Sequence, residues 1–521
     1  MAGRIGTATR AVGRVLGRIL AYLLLWLGLT CLIAALGIRH YWGPITFDQL
    51  RTNLFSVQTD GGGGAIVWKG ILGVGVLPVV VTLAVAGIIA WRRRVVRRRM
   101  ADGAPRPPRS WRWPRNILAT LSVLALGIGG TSAFASTVGI RDYLRAANSP
   151  YTLDDYYAAP TVTSDAGKRN LVVIYLESGE QTLADDQLFE KDAFKGLEEA
   201  TPESEGWQSI PDFQQYDGGG WTMAGLVSTQ CGVPLKGGSG SSSVAETAEG
   251  DDAAPQYLGG LTCMGDVLKE HGYRNVFLGG ANGDFAAKSK FLGGHGYDEQ
   301  KDLHDWRAAG EPEENFRSDW GLSDQRLMAH AKDEIDQLHA EAQRTGQPFN
   351  LSMLTLDTHE PVHVFDYCNV DTQSEVTSVY ACSMNQVADY VQYMKQKGYL
   401  EDTAVVIMGD HLKHMSAGDA FHEELDDHPN RTIFNRIWVP EADRKKGALR
   451  SGADQLNMYP TMLEAAGLEL KDHEAGLGVS AFTEKIPEGS AQSLSPEDDR
   501  LLLEARSQEF YDRAWQGAGR S

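Results

Sequence analysis

Three long apolar runs in the first 136 residues constrain the fold of this chain more than any other feature. They cover Ile19–Ile38, Ala65–Trp91 and Ile117–Ala135. Each run is long enough to cross a bilayer as a helix. A signal peptide followed by core helices is the alternative, but the lengths of the runs and the arginines beside them favour three spanning helices. We therefore predict a membrane anchor over residues 1–136.

Arginines orient these helices. They precede the first run and fill the loop between the second and third, at Arg4, Arg10, Arg14, Arg18, Arg92, Arg93, Arg94, Arg97, Arg98, Arg99, Arg106, Arg109, Arg112 and Arg115. Because arginine-rich loops stay in the cytoplasm, three spans place everything after residue 136 outside it. Nucleic-acid binding is the alternative use of the basic loop, but its position beside two spans favours anionic lipid.

Net charge divides the chain at the same place. Of the total of −19, residues 1–150 carry +15 and residues 151–521 carry −34. So acidic an outer part argues against nucleic acid as a partner.

Four of the five cysteines follow the third apolar run, where an oxidising compartment permits disulfides. They are Cys231, Cys263, Cys368 and Cys382, whereas Cys31 lies in the first run. Three pairings are possible, and we favour the sequence-local pairs Cys231–Cys263 and Cys368–Cys382. Metal binding by the thiols is the alternative, but the chain has no Cys-x-x-Cys spacing.

After a polar linker over residues 137–169, short β-branched runs alternate with stretches of helical period. The runs are Asn170–Ser178, Arg274–Leu278, Phe349–Leu356 and Ala404–Met408, and the helical stretches are Gly265–Gly272, Ser323–Arg344 and Met384–Lys397. Continuous apolar runs predict buried parallel strands. The alternation therefore predicts an α/β sandwich with a mostly parallel sheet over residues 170–485. In the tail, over residues 486–521, one amphipathic helix is predicted at Pro496–Trp515.

Residue types that bind metals follow three of these strands. Glu177 ends the first, Asp357 and His359 follow the third, and Asp410 and His411 follow the fourth. Because ligands bind beyond the carboxyl ends of parallel strands, we expect these side chains at one edge of the sheet. Carboxylates with imidazole suit a divalent cation, Mn²⁺ or Mg²⁺, with Zn²⁺ as an alternative. Each pair alone is more often a cap or a surface turn, and the joint occurrence favours a metal site.

A glycine-rich stretch, Asp217–Leu235, supplies a candidate nucleophile. Three glycines permit close approach of the backbone, and Thr222 then begins a predicted helix whose N-terminal N–H groups favour an anion. A hydroxyl in that position suits attack on a phosphate or sulfate ester. The alternative is a glycine loop with a capping threonine. Further along, His414 follows the Asp410–His411 pair closely enough to contact the site, but we favour its interpretation as a solvated loop histidine.

Eight motifs occur in a family-like order. They are Tyr175–Ser178, Trp221–Leu235, Cys263–Leu268, Phe285–Lys288, Asp319–Asp324, Thr355–Pro361, Gly409–His411 and Gly476–Gly478. Together they resemble the alkaline-phosphatase/sulfatase-like superfamily, and within it the membrane phosphoglycerol transferases that include lipoteichoic acid synthases. The closer match is the phosphoglycerol transferase of osmoregulated periplasmic glucans. The resemblance spans about residues 168–480.

The resemblance implies a role for each matching residue. Glu177, Thr222, Asp410 and His411 are expected to bind the metal, with Thr222 also the nucleophile. His359 is expected to contact the glycerophosphate or to protonate a leaving oxygen.

Lys288 falls where lipoteichoic acid synthases carry a phosphate-binding arginine, and we also expect Trp221 and Asp357 to contact the substrate. Where those synthases carry His, Asp and Trp, this chain has Gly279, Ala281 and Ala286. This departure, and three spans where five are expected, favour a glucan-type acceptor over a growing polyglycerolphosphate.

The resemblance implies metal-dependent transfer of glycerol phosphate from phosphatidylglycerol to an extracytoplasmic glycan. The expected enzyme spans the bacterial inner membrane several times, acts on the periplasmic side, forms a phospho-threonine and releases diacylglycerol. Alternatives are a phosphoethanolamine transferase or phosphodiesterase on the same scaffold, or a catalytically silent membrane protein that binds lipid or glycan. Ala133–Ala135 resembles a signal-peptidase site, so release of the outer domain is a further hypothesis.

Overall fold

The structure is a computed structural model that divides into two compact units, one within residues 1–141 and the other mainly residues 142–521. It describes residues 2–41, 43, 45–47, 49–50, 64–102, 112–238, 257–317, 320–414, 421–425, 428–440 and 448–516. Arg106 and Arg109 of the basic loop, and Asp319 of one motif, lie outside the described residues.

The first unit consists of long apolar helices. They are α1 (Ala2–Tyr41), α2 (Gly64–Gly70), α3 (Leu77–Ala101) and α4 (Arg112–Thr137), and a π-helical turn over Ile71–Val76 joins α2 to α3. Three segments are long and apolar enough to cross a membrane, namely Val15–Tyr41, Val67–Ala101 and Ile117–Thr137. The three predicted apolar helices are therefore confirmed.

Glycines allow α1 and α4 to pack closely. A Cβ on Gly28 would lie 2.5 Å from the carbonyl oxygen of Leu126, and one on Gly130 would overlap the backbone of Gly28. Small residues at such crossings let two helix backbones approach each other. The triplet Ala133–Ala135 lies inside α4, and cleavage there stays a prediction.

A six-stranded sheet forms the centre of the second unit. The strands of this unit are β1 (Val162–Ser164), β2 (Asn170–Leu176), β3 (Arg274–Gly279), β4 (Glu299–Lys301), β5 (Phe349–Leu354), β6 (Thr403–Gly409), β7 (Asn435–Trp438), β8 (Glu469–Leu470), β9 (Glu474–Ala475) and β10 (Gly478–Val479). The sheet has the order β4-β3-β5-β2-β6-β7. Only β7 runs antiparallel to its neighbour. The predicted α/β fold with a mostly parallel sheet is thus confirmed.

Helices cover both faces of this sheet. The described helices that follow residue 139 are α5 (Ile140–Ala146), α6 (Asp186–Phe189), α7 (Lys195–Ala200), α8 (Thr222–Cys231), α9 (Met264–Glu270), α10 (Lys288–Gly294), α11 (Leu303–Ala308), α12 (Asp324–Thr345), α13 (Glu375–Lys397), α14 (His422–Leu425), α15 (Met458–Ala465), α16 (Pro496–Glu504) and α17 (Gln508–Gln516). Val173 of β2 packs in the core that contains α8 and α15, and Val172 packs in the core that contains α12 and α13. Because successive side chains of a strand point to opposite faces, β2 is apolar at nearly every position.

The register of the central strands brings the predicted metal ligands together. Leu176 of β2 pairs with Gly409 of β6, so the next residues, Glu177 and Asp410, leave the sheet side by side. Thr355 follows β5 at the same edge, and its Oγ1 accepts a hydrogen bond of 2.9 Å from the Glu177 N–H.

Both predicted disulfides are confirmed. Cys231 at the end of α8 is joined to Cys263 before α9, and Cys368 in the loop after β5 is joined to Cys382 in α13.

The segment predicted as a linker is partly built into the second unit. Val162 of β1 pairs antiparallel with Leu470 of β8, about three hundred residues later in the chain. A strand of three residues carries too little periodicity to be recognised locally, and only its distant partner defines it.

The tail contains two helices where the sequence predicted one. The first ends at Glu504, and Ser507 has a φ of 41°. Two tertiary contacts fix this break, because Lys236 Nζ donates to the Ala505 carbonyl at 2.8 Å and Ser507 Oγ accepts from the Leu153 N–H at 2.9 Å. The single-helix prediction was wrong because these partners lie far away in the sequence.

Gly225 of α8 packs directly on the loop that carries Asp410, and it yields a testable prediction. A Cβ at this position would overlap the Asp410 carbonyl oxygen. We expect Gly225→Ala to reduce the free energy of unfolding by about 1–3 kcal/mol, the usual cost of overpacking. Thermal unfolding of the detergent-solubilised chain measures it.

Gly293→Ala is the matched control. In α10, a Cβ on Gly293 would meet only the flexible Gln300 amide, at 3.0 Å. This variant is expected to be neutral or more stable by up to about 1 kcal/mol. Equal melting temperatures for the two variants would contradict close packing of α8 on the Asp410 loop.

Candidate active site

Three of the four predicted metal ligands meet in the interior of the second unit. Glu177, Asp410 and His411 are 3%, 0% and 1% exposed. One ligand atom from each lies within 4.8 Å of the others. His411 Nε2 is 3.7 Å from Glu177 Oε1 and 3.5 Å from Asp410 Oδ2.

The hydrogen bonds of Asp410 and His411 leave a carboxylate oxygen and an imidazole nitrogen available to bind a cation. Asp410 Oδ1 accepts from the N–H groups of Ser178 and His411, both at 2.8 Å, whereas Asp410 Oδ2 is buried without a hydrogen-bond partner among the described residues. His411 Nδ1 faces the Leu412 carbonyl at 2.7 Å. Because a carbonyl only accepts, Nδ1 carries the proton and Nε2 keeps its lone pair for a metal. The residues present therefore fit a divalent cation.

The pKa shifts of the buried groups in this cluster also favour a bound cation. Burial, and then the nearby Glu177 carboxylate, raise the pKa of Asp410 to about 7. Burial alone would lower the pKa of His411, but Asp410 and Glu177 outweigh it and raise this pKa. Burial would likewise raise the pKa of Glu177, but the charges of His359 and His411 outweigh it and lower this pKa. A bound cation would keep both carboxylates ionised.

Thr222 is the fourth predicted ligand and lies beside the other three. It is the first residue of α8, and Trp221 before it is extended, with φ −161° and ψ 154°. The Thr222 hydroxyl is half-buried and donates to Glu177 Oε2 at 3.3 Å. The open N–H groups of a ten-residue helix therefore point to the place where an anion would contact this hydroxyl.

His359 and Lys288 also lie within electrostatic reach of the cluster. Burial lowers the pKa of His359 against the opposing charge of Glu177. Lys288 begins α10 and is 7% exposed. Burial lowers its pKa, although the charges of Asp302, Glu177 and Asp410 oppose this. A buried lysine amine near the cluster is available for a phosphate group.

The other two predicted substrate contacts occupy different surroundings. Trp221 is half-buried and immediately precedes Thr222. Asp357 is 1% exposed, and its Oδ2 accepts from the Asp324 N–H at 3.1 Å and from the Tyr367 hydroxyl at 2.5 Å. Contact of either residue with substrate stays a prediction.

Three residues near the cluster were missed or misread from the sequence. His414 is half-buried with its ring 4.8 Å from that of His411, so its interpretation as a solvated histidine was wrong. Ser178 adopts a φ of 54°, and its hydroxyl donates to Glu177 Oε1 at 2.8 Å. Arg317 is 3% exposed and binds the loop of His359. The short spacing from His411 to His414 was the available signal, whereas nothing local identifies Arg317.

A second group of metal-binding residue types, Cys263, Asp266 and His295, has a structural explanation. The sulfur of Cys263 is in a disulfide. Asp266 Oδ2 accepts from the Cys263 N–H at 2.9 Å and faces His295 Nδ1 at 2.8 Å, while His295 Nε2 faces the Tyr257 carbonyl at 2.8 Å. These atoms already have disulfide or hydrogen-bond partners, so a substitution of Asp266 serves as the control in the metal-binding test below.

Metal binding at the first cluster is tested by Asp410→Asn. With Mn²⁺ at about 100 times its Kd, bound metal should stabilise the wild type by about 2.7 kcal/mol. We expect Asp410→Asn to lose this gain, because the amide removes the open carboxylate oxygen. Asp266→Asn should keep it. The melting temperature with and without Mn²⁺ measures both, and an undiminished shift in Asp410→Asn would refute the site.

Comparisons with known proteins indicate the family of this chain. The sulfatase family profile matches residues 169–468. Phosphoglycerol transferase I of Salmonella heidelberg is 32% identical over 390 residues, which cover 70% of this chain and 45% of that protein. This chain therefore matches less than half the length of that relative.

Two solved structures show the same fold. A protein of the alkaline phosphatase superfamily from Vibrio parahaemolyticus has a TM-score of 0.50 at 17% identity, and the match covers 73% of this chain and 96% of that one. The lipoteichoic acid synthase LtaP from Listeria monocytogenes has a TM-score of 0.50 at 14% identity, covering 72% and 97%. The range matched by the sulfatase family spans more than half of this chain and contains the positions of Glu177, Thr222, Asp410 and His411. The chain therefore belongs to the sulfatase family.

Proposed function

We propose that this protein transfers glycerol phosphate from phosphatidylglycerol to an extracytoplasmic glycan. A phospho-threonine at Thr222 is the intermediate, and diacylglycerol is the first product. The observation that carries the proposal is the position of Thr222 at the start of α8. Its hydroxyl lies 3.3 Å from Glu177 Oε2, beside a buried cluster suited to a divalent cation. Similarity to phosphoglycerol transferase I supports phosphate, with glycerol as its substituent, over sulfate.

The chemistry needs a nucleophile, a cation and a proton donor. A divalent cation, Mn²⁺ by preference, would lower the pKa of the Thr222 hydroxyl and neutralise phosphate charge. Thr222 Oγ1 attacks phosphorus, and Glu177 Oε2 takes up its proton through their hydrogen bond. The bond from phosphorus to the lipid oxygen breaks, and that oxygen takes the Nε2 proton of His359 in its imidazolium form, which the charge of Glu177 favours. In the second step a glycan hydroxyl attacks phosphorus and gives its proton to His359 Nε2, while the bond from phosphorus to Thr222 Oγ1 breaks and Oγ1 takes its proton back from Glu177.

The first unit supplies the place where this reaction occurs. Three helices able to span a bilayer hold the second unit near its lipid donor. The arginines between the second and third helices support a position of the second unit on the outer side of a bacterial inner membrane. In this proposal Lys288 binds the phosphate and Trp221 and Asp357 contact the rest of the substrate. The small residues Gly279, Ala281 and Ala286 favour a periplasmic glucan as acceptor.

Phosphatidylglycerol with a labelled headgroup tests the donor and the nucleophile together. With Mn²⁺, the wild type should release diacylglycerol and retain label covalently. Thr222→Ala should lose release by at least about 10³-fold, since it lacks the nucleophile. Thr222→Ser keeps a hydroxyl and should retain both activities in part. Turnover of phosphatidylethanolamine instead would indicate a phosphoethanolamine transferase, and unlabelled protein with release into water would indicate a phosphodiesterase.

Deprotonation of Lys288 should set the upper pH limit of kcat/KM. Burial lowers its pKa below the ordinary 10.5, so its positive charge is lost as pH rises through this lowered value. We expect kcat/KM to fall there, and Lys288→Arg to extend activity to higher pH because a guanidinium stays charged.

Removing the charge of Lys288 completes this test. Lys288→Met should reduce kcat/KM by about 10–100-fold at pH values below this limit, where Lys288 is protonated, the value of a charged hydrogen bond. Lys290→Met, two residues along α10, is the matched control and should behave as wild type. An alkaline limb that is identical in wild type and Lys288→Arg would contradict the assignment.

A further inference from the structure

Arg317 is a buried guanidinium whose described hydrogen-bond partners are main-chain carbonyls on a single loop. It is 3% exposed. Its Nη1 donates to the carbonyls of Leu356 and His359, at 3.2 and 2.8 Å, and its Nη2 donates to the carbonyl of Pro361. A charge buried in this way is costly unless its hydrogen bonds are satisfied. The loop around His359 is what satisfies them.

The imidazole of His359 is fixed from two further sides. Its Nδ1 faces the Glu360 carbonyl at 2.7 Å, so Nδ1 carries a proton and Nε2 is the nitrogen left for chemistry. The ring of Trp320 lies 4.4 Å from the His359 ring, and the Arg317 guanidinium carbon lies 5.6 Å from the Trp320 ring. Arg317 therefore contacts both the backbone of the loop and the side chain that covers the imidazole.

The turn that carries Arg317 is itself anchored to the sheet. The Arg317 N–H donates to the Gly321 carbonyl at 2.9 Å, and the Leu322 N–H donates to the Gly280 carbonyl at 3.0 Å. Gly280 directly follows β3. Gly321 has a φ of 150°, and a Cβ there would overlap the Gly280 carbonyl. Arg317 thus ties the His359 loop to a rigid edge of the sheet.

We infer that Arg317 is a positioning residue, which with Trp320 holds His359 so that Nε2 faces the oxygen leaving phosphorus. The inference rests on the proposed function. In its imidazolium form His359 carries a second proton, on Nε2. As the Thr222 Oγ1–phosphorus bond forms, the bond from phosphorus to the lipid oxygen breaks and this second proton moves to that oxygen. Loss of Arg317 removes this proton transfer and leaves the nucleophilic attack in place.

Leaving groups of different basicity separate this role from a structural one. The alkoxide of diacylglycerol needs a proton to depart, whereas nitrophenolate, from bis(p-nitrophenyl) phosphate, departs without one. With the full chain in mixed micelles and Mn²⁺, Arg317→Ala should lose about 100-fold or more on the lipid, within the range of general acid catalysis. On the nitrophenyl ester it should lose less than about threefold, because attack by Thr222 is intact.

His359→Ala should show the same pattern. The double variant Arg317→Ala/His359→Ala should lose no more on the lipid than His359→Ala, because both changes remove one proton transfer. Arg326→Ala removes an arginine bonded to Glu311 at 2.6 Å and is expected to leave both activities unchanged. Arg317→Lys keeps a charge but not the two-armed contact, so it should resemble Arg317→Ala and serves if the alanine variant does not fold.

The outcomes distinguish the two proposals. Equal losses on both substrates, or additive losses in the double variant, would overturn the role of Arg317 while the proposed function stands. If the wild type uses phosphatidylethanolamine and not phosphatidylglycerol, the proposed function fails, and Arg317 is judged on that lipid by the same comparison. If the wild type turns over no phosphatidyl lipid, His359 has no leaving oxygen to protonate, and both proposals fall.

Discussion

Two carboxylates, Glu177 and Asp410, are held side by side in the interior of the protein, and this constraint governs the rest of the site. Buried like charges repel, and neither residue is more than 3% exposed. Their proximity follows directly from strand register, since Leu176 and Gly409 are paired neighbours in the sheet. The arrangement is unfavourable without a positive partner, so His411, His359 and Lys288 cluster around it and a divalent cation fits its open oxygen.

The proposed nucleophile and the proposed metal ligands belong to one packed piece of structure. Gly225 places α8 directly against the Asp410 carbonyl, and Gln455 Nε2 donates to the same carbonyl at 2.7 Å. The Thr358 hydroxyl donates to the Glu177 carbonyl at 2.6 Å, which joins the loop of His359 to the strand that ends in Glu177. Reactive groups held in this way need little rearrangement before reaction, which is an important contribution to catalysis by positioning.

Local patterns in the sequence were enough to predict the long apolar helices, the central strand and the residues at the strand ends. Apolar runs predicted the three long helices and β2, and residue types at strand ends predicted Glu177, Asp410 and His411. These features are encoded by neighbouring residues, because helix length, strand burial and the position after a strand are local properties. The two disulfides followed from the choice of sequence-local pairs, which is also a statement about proximity along the chain.

What the sequence did not reveal depends on distant partners. The strand β1 is defined by its pairing with β8. The tail helix breaks because Lys236 and Leu153 form hydrogen bonds near the break. Arg317 donates to carbonyls on a loop about forty residues away. His414 is close to His411 in sequence, but the burial of its ring depends on the folded loop. Propensity carries no information about such contacts.

The tail also sets the order in which the second unit can be completed during synthesis. Ser149, soon after the third apolar helix, bonds to the carbonyl of Leu501, 352 residues later, and Leu153 bonds to Ser507 across 354 residues. Arg506 donates to the Tyr143 carbonyl at 3.0 Å. Because a chain emerges from its N-terminal end, the segment around Ser149 and Leu153 cannot complete its contacts until Leu501 and Ser507 have been made. Folding of the second unit therefore finishes only after residues 501–507 have left the ribosome.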